Sequence, residues 1–472
     1  MKFGTSGLRG LVSDMTDVVV AEYARAFLSH LAASGAPTSE ILIGRDLRPS
    51  SPRMAAACAS AITGFGADAV DCGVLPTPAL ALEAARRGAA AIMVTGSHIP
   101  FDRNGLKFYR PDGEITKADE AGVVAALARP AARAKGAGSA KTIDARAAYV
   151  ARADAFGGPD RLAGMRIGVY QHSAAGRDLL PETLARLGAE PVPLGRSDDF
   201  VPIDTEAVRP EDVALARAWT AEHRLDALVT TDGDGDRPLI ADERGVFLRG
   251  DLVGVLTARR LEADAVATPV SSNTALERSG WFPRIARTRI GSPFVIEAME
   301  TLRGEGARRV VGYEANGGFL LGDAAHPPGG APLSPLPTRD ALTPILAVLS
   351  MAADAGAPIS RLAADLPPRA TASDRLEETP ATLSGPLVAA LSEDTPERRR
   401  FVSAVGAGAV VAVDRLDGAR LTLDTDEILH VRASGNAPEL RLYVEADGPD
   451  RALRLLETGL AALRDLLGAR PA

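Results

Sequence analysis

Cysteine is almost absent: Cys58 and Cys72 are the only two among 472 residues, and they form no CxxC pair. That excludes a disulfide framework and a cysteine metal site, and leaves two buried free thiols in a reducing compartment as the expectation. Basic excess is lacking as well. With a formal charge of −8 the molecule as a whole does not attract nucleic acid or an anionic membrane, so no such partner is expected. Any anionic ligand has to be met by a local basic site. No apolar run approaches the ~18 residues of a membrane span, and the opening MKFGTSGLRG has too few apolar residues for a signal-peptide core. A cytoplasmic protein, monomer or homodimer, is expected.

The composition that remains is ordinary for a globular protein, 46% hydrophobic and 24% charged, while 46 glycines and 33 prolines imply many turns joining short elements. At about 150 residues per domain the length fits three domains, or four if one is small. Short β-rich runs at 41–44, 91–94, 166–170, 227–229 and 310–312 alternate with Ala/Leu/Arg-rich helical stretches. Such alternation predicts βαβ units and mainly parallel sheets. After 400 the pattern changes to hairpin-like alternation, LTLDTDEILHVRAS and LRLYVEA, followed by the helical run ALRLLETGLAALRDLL, which predicts a small α+β domain. The stretch 128–142 is linker-like, and breaks near 250 and 368 complete a division into 1–145, 146–250, 251–367 and 368–472. No short-period repeat is present.

Several of these runs empty into polar, glycine-rich loops, where open α/β sheets gather ligands. The most specific is Asp232-Gly-Asp234-Gly-Asp236-Arg237. Three carboxylates at alternate positions with intervening glycines can close around one hard cation, Mg²⁺ above all, and leave coordination positions that phosphate oxygens fill. A solvated acidic turn is the plain alternative. An EF-hand loop would place Glu243 at its twelfth position, but Arg237 stands where that turn needs glycine, and Pro238 follows.

Ser97, in Thr95-Gly-Ser97-His98-Ile-Pro100, sits at a strand end where a hydroxyl can be reached, although a loop serine can equally bond its own backbone. The G-x-S-x-G elbow of hydrolases is absent. Lys107 can bring a cation to the same loop, and Arg9 in GTSGLRG offers another. Glu314 and Asn316, in YEANGG with Gly317, carry an acceptor and an amide suited to sugar hydroxyls. Arg432, Ser434, Gly435, Asn436 and Arg441 fall within one turn able to wrap a phosphate dianion.

Taken in order, GTSGLRG, TGSHIP, DGDGDR, YEANGG and RASGNAP resemble the α-D-phosphohexomutase family, the phosphomannomutases and phosphoglucomutases, over residues 4–441. The resemblance implies three related α/β units and a smaller C-terminal domain around a central cleft. It implies an enzyme that interconverts hexose 6- and 1-phosphates through a phosphoserine, here Ser97, with a hexose 1,6-bisphosphate as intermediate and activator. The cation would be held by Ser97, Asp232, Asp234 and Asp236. Arg9, His98 and Lys107 would stand at the transferring group, and Arg237 would orient the phosphoserine. Glu314, Asn316 and Gly317 would grip the sugar, and the 432–441 loop the phosphate that is not reacting. Two motifs depart from the family. Gly96 and Ile99 flank Ser97 and His98 where Ala-Ser-His-Asn-Pro is usual, and the sugar loop has Asn316 and Gly318 where Glu-x-Ser-Gly-His is usual. The expected substrate is mannose phosphate, with glucose phosphate possible. Rival readings are a phosphoglucosamine mutase, a metal-dependent phosphatase and a non-catalytic phosphosugar-binding protein that kept the fold.

Overall fold

The computed structural model describes residues 2–4, 7–128, 136–406, 408–435 and 438–468. Among them the strands form four sheets, of eight, four, five and five strands. In the first, Ala90–Val94, Glu40–Arg45, Asp68–Val74 and Ala140–Thr142 run parallel. Arg103–Arg110 and Gly7–Leu11 extend it antiparallel on the other side of Ala90–Val94. The second sheet has Glu190–Leu194, Arg166–Tyr170 and Ala227–Thr231 parallel, closed by antiparallel Pro238–Ala241. The third follows the same plan, with Arg284–Thr288, Ala265–Pro269 and Val310–Tyr313 parallel before Phe319–Leu321 and Leu336–Asp340 turn back. The fourth is antiparallel throughout: Ala370–Leu376, Leu440–Ala446, Ile428–Ala433, Ala419–Leu423 and Val410–Asp414. The mixed α/β class and the α+β C-terminal unit expected from the sequence are both present.

Strand Ala90–Val94 shows why its sequence is apolar without alternation. Ala91 and Met93 enter one hydrophobic core while Ala90, Ile92 and Val94 enter another, so both faces are covered. A strand buried on both sides has no position for a polar residue. The first of these cores runs on through the second and third sheets, by way of Ile167, Val229, Val266 and Leu346, whereas the C-terminal unit has its own core around Phe401, Leu442 and Leu463. Three units are therefore packed as one body, and the fourth is joined to them through a more polar seam.

One expectation needs correcting. The linker-like stretch ends in a strand, Ala140–Thr142, which pairs with Asp68–Val74 at the sheet edge. All of its residues are exposed, so no apolar periodicity marked it. Residues 129–135 lie outside the described residues.

Candidate active site

The strand Ala90–Val94 delivers the chain into a tight loop where Ser97 takes a left-handed φ of 53°. A non-glycine residue holds that conformation where its surroundings over-determine it. Thr95 Oγ1 accepts the Ser97 N–H at 2.8 Å. The buried guanidinium of Arg48 donates to the carbonyls of Ser97, Ile99, Pro100 and Arg103 at distances between 2.5 and 2.9 Å. Asp46, also buried, pairs with Arg48 at 3.3 Å and accepts from the hydroxyls of Ser51 and Thr95. So held, Ser97 Oγ donates to Asp232 Oδ2 at 2.6 Å across 135 positions of sequence.

Asp232 opens the turn between strands Ala227–Thr231 and Pro238–Ala241, and its Oδ1 accepts the N–H groups of Asp236 and Arg237 at 3.2 and 3.3 Å. Asp232, Asp234 and Asp236 are buried, with an oxygen of each within 4.8 Å of the others. Lys107 donates to Asp234 Oδ2 at 2.6 Å and to Asp236 Oδ2 at 2.5 Å. Thr77 Oγ1 also donates to Asp234. Asp234 Oδ1 and Asp236 Oδ1 are buried and accept no hydrogen bond. Burial, then the charges of Asp236 and Asp234, push the Asp232 carboxyl well above its ordinary range. At Asp236 burial acts in the same sense, but Arg339, Lys107 and Arg237 outweigh it and hold the carboxyl far below that range.

Two carboxylate oxygens that accept no hydrogen bond and a third carboxylate destabilised by its neighbours form an all-oxygen donor set, shared with the Lys107 ammonium, that suits a hard divalent cation. The EF-hand alternative fails here: Glu243 is taken up by the backbone and hydroxyl of Ser360.

His98 Nδ1 accepts from Arg237 Nη1 at 2.8 Å, and burial followed by the Arg237 charge pulls the imidazole down to about 3. The same Nδ1 lies 3.3 Å from Ser97 Oγ. Arg9, on strand Gly7–Leu11, is half-buried, and burial, then Arg237 and Arg339, lower its guanidinium to about 10. Arg9, His98 and Arg237 line a cleft of about 840 Å³ whose opposite wall carries Gly435 and Arg441 of the C-terminal unit. Asp204 and Glu206 also line it.

Ser97, Lys107 and the aspartates are buried and absent from that lining, as are Glu314, Asn316 and Gly317. Glu314 and Gly318 close a tight turn in which Asn316 Oδ1 accepts the Gly318 N–H at 3.0 Å and Gly317 takes a φ of 88°. The carbonyl end of the Asn316 amide is thus spent on its own loop. In the C-terminal unit Arg432 and Arg441 are cross-strand partners. Arg432 donates to Asp417 at 3.0 Å, Arg441 to Glu439 at 2.9 Å, and Ser434 N–H to the Glu439 carbonyl. Asn436 lies outside the described residues.

Four participants were not anticipated. Asp46 and Arg48 belong to a loop, GRDLRPS, that the sequence marks as polar and strand-ending, yet their inward direction is not visible there. Thr77 carries no signal. Arg339 stands in strand Leu336–Asp340, and its only mark is a cation within an otherwise buried run.

A strand-end hydroxyl locked onto a buried carboxylate trio, with arginine and lysine around it and a cleft beside it, is the arrangement of a phosphoryl-transfer enzyme. Comparison with known proteins fits that class. Four family models match in chain order: the phosphoglucomutase/phosphomannomutase α/β/α domains I, II and III at residues 1–133, 147–245 and 249–370, and the C-terminal domain at 390–462. A phosphomannomutase of Sinorhizobium fredii (strain NBRC 101917 / NGR234) is 47% identical over 98% of both chains. One of Salmonella muenchen is 45% identical, covering 99% of this chain and 96% of its own. A phosphoglucosamine mutase of Paracoccus denitrificans is 31% identical over 98% of both. Among solved structures, a phosphoglucomutase/phosphomannomutase family protein of Burkholderia thailandensis shares the fold with a TM-score of 0.77 at 21% identity, covering 99% of this chain and 98% of that one. The chain belongs to the phosphoglucomutase/phosphomannomutase family, the α-D-phosphohexomutases, and is an enzyme of the isomerase class that moves a phosphoryl group within a hexose phosphate.

Proposed function

We propose that the enzyme is a phosphomannomutase, with glucose phosphates as secondary substrates, and that it works through a phosphorylated Ser97. The observation that carries this reading is the 2.6 Å bond from Ser97 Oγ to Asp232, between the strand-end loop of the first unit and the carboxylate trio of the second. The substrate assignment is supported by identities of 47% and 45% to phosphomannomutases against 31% to a phosphoglucosamine mutase. We further propose units divided near 145, 250 and 367, each contributing one loop to the site.

In the resting enzyme the phosphoryl group is on Ser97 Oγ. The free hydroxyl of a bound hexose monophosphate attacks phosphorus, the P–Oγ bond breaks, and the proton lost by the sugar is regained by Ser97. The bisphosphate then turns over, and the reverse step returns its other phosphoryl group to Ser97. A divalent cation on Asp232, Asp234 and Asp236, Mg²⁺ in this proposal, supplies charge that polarises the phosphoryl group and stabilises the leaving oxygen. Arg9 and Lys107 neutralise the equatorial oxygens, and Lys107 carries the proton in this proposal. Arg237, fixed by His98, orients the phosphoserine. Arg441, Arg432, Ser434, Gly435 and Asn436 anchor the idle phosphate, and one such site serves both orientations of the bisphosphate. Glu314, Asn316 and Gly317 hold sugar hydroxyls.

The test is a coupled assay on mannose, glucose and glucosamine 1-phosphates with Mg²⁺ and the matching bisphosphate, together with phosphopeptide analysis of Ser97. Mannose phosphate is expected to give the highest kcat/KM, and Ser97→Ala to abolish turnover while keeping the fold. Normal mutase activity in Ser97→Ala would falsify the covalent route, and a preference for glucosamine phosphate would overturn the substrate assignment.

A further inference from the structure

Arg339 is charged yet only 2% exposed, and no motif includes it. Its Nε and Nη2 donate to Asp236 Oδ2 at 3.1 and 2.9 Å, on the cation-binding turn of the second sheet. Its Nη1 donates to Glu314 Oε2 at 3.2 Å, on the sugar loop of the third. Nη1 also reaches Ser292 Oγ at 3.4 Å, and that hydroxyl donates to Glu114 of the first unit at 2.9 Å. One planar guanidinium thus spans two functional loops, and its Nη1 is linked through Ser292 to the first unit.

Position 318 is shaped around this side chain. A Cβ built on Gly318 would lie 2.6 Å from Arg339 Cδ and 2.8 Å from Cγ, closer than unbonded carbons approach. These are mid-chain atoms of a side chain whose end is pinned, so they cannot swing aside. A glycine at 318 and an arginine at 339 therefore form a matched pair.

We propose that Arg339 is a positioning residue that couples the cation-binding turn to the sugar loop, and that by fixing the Glu314 carboxylate it sets which sugar hydroxyl that carboxylate accepts. The inference rests on the mutase reading above. A rigid fork donates to two carboxylates at once, whereas the single ammonium of lysine is a point charge on a flexible stem. Mannose and glucose phosphates differ only in the configuration at C2, so in this proposal the Glu314 carboxylate faces that hydroxyl, and held in one rotamer it distinguishes the two sugars where a loosened one does not. Misplacement by about an ångström costs on the order of 10²-fold in rate.

The experiment compares wild type, Arg339→Ala, Arg339→Lys, Glu314→Gln and the double variant Arg339→Ala/Glu314→Gln, reading kcat/KM for mannose 1-phosphate and glucose 1-phosphate. Calorimetric affinity for each sugar phosphate without added cation is measured alongside. Arg339→Ala is expected to lower kcat/KM for the preferred sugar about 10²-fold and to move the mannose-to-glucose ratio, in rate and in affinity, to the value found for Glu314→Gln. The double variant should lose no more, because both changes break one unit. Added guanidinium should restore the ratio in Arg339→Ala, and lysine should not. Equal loss for both sugars with an unchanged ratio, or additive losses in the double variant, overturns the proposal. If Arg339→Ala does not fold, Gly318→Ala keeps the guanidinium but displaces it, and must shift the ratio the same way. If wild type turns over neither sugar, the mutase reading falls, and the affinity ratio alone decides the role of Arg339.

Discussion

Of the four carbonyls that Arg48 caps in the Ser97 loop, that of Ser97 is buried and would lose its partner if the guanidinium were gone. Arg48→Ala also strands the buried Asp46 carboxylate without its counter-ion. Truncating one member of a buried ionic pair costs about 3–5 kcal/mol, so urea unfolding of the variant should show a loss of that order, with mutase activity falling because Ser97 is no longer aimed at Asp232. A loss below about 1 kcal/mol would show that the loop holds itself. At this scale the sequence exposed Ser97 and the three aspartates, because each belongs to a short pattern whose chemistry is local. Thr77 and Arg339 stayed hidden because their partners lie 157 and 103 positions away.

Strand Ile428–Ala433 carries a pH-sensitive group into the core of its sheet. His430 is 1% exposed, stacks on Tyr443, and gives Nε2 to the Asp417 carbonyl at 2.6 Å. Burial above all pulls its imidazole down to about 4. In the unfolded chain the ring takes a proton near pH 6.5, whereas the native ring waits until about 4, so across that interval the unfolded state binds more protons. Stability is therefore complete above about pH 6.5 and falls as pH drops toward 4, by about 1.4 kcal/mol per unit from this residue. Thermal melts from pH 7 to 4 should show the decline, and because His98 and His172 are depressed in the same sense, His430→Gln should remove about a third of the slope; an equal slope in the variant would assign the effect elsewhere. The strand itself was legible from its alternation with LRLYVEA across the turn. The exposed edge strand Ala140–Thr142 was not, since its pairing is made by backbone alone.

The joint between the third unit and the C-terminal unit is polar. Asp417 accepts the Ile290 N–H of the third unit at 2.9 Å and the Arg432 Nε of its own unit at 3.0 Å, so one carboxylate fixes both the seam and a candidate phosphate anchor. Asp417→Ala should raise KM for both hexose monophosphates about tenfold, the equivalent of roughly 1.4 kcal/mol or one charge-assisted hydrogen bond; a change confined to kcat would rule the carboxylate out as an anchor. A cation held by the aspartate trio would act on the whole molecule in another way. A ligand bound only by the native state stabilises it by about 2.7 kcal/mol at a hundredfold excess over Kd. Chelation should therefore lower the melting temperature as well as the activity, with Mg²⁺ restoring both, and a melting temperature indifferent to Mg²⁺ would count against the aspartate trio as its site.

The order of motifs, the apolar runs and the change of pattern after 400 are properties of neighbouring residues, and from them the sequence by itself determined the α/β class, the small C-terminal unit, the family, the nucleophile candidate and the carboxylate trio that could hold a cation. Tertiary structure alone decided that Ser97 meets Asp232, that Lys107 and Arg339 share Asp236, and that Arg48 reaches under the serine loop. The reason is physical. Periodicity and turn chemistry act within a few residues of the chain, whereas a buried charge is satisfied by whatever the packing of separate sheets brings within 3 Å, and nothing in its own neighbourhood records which group that is.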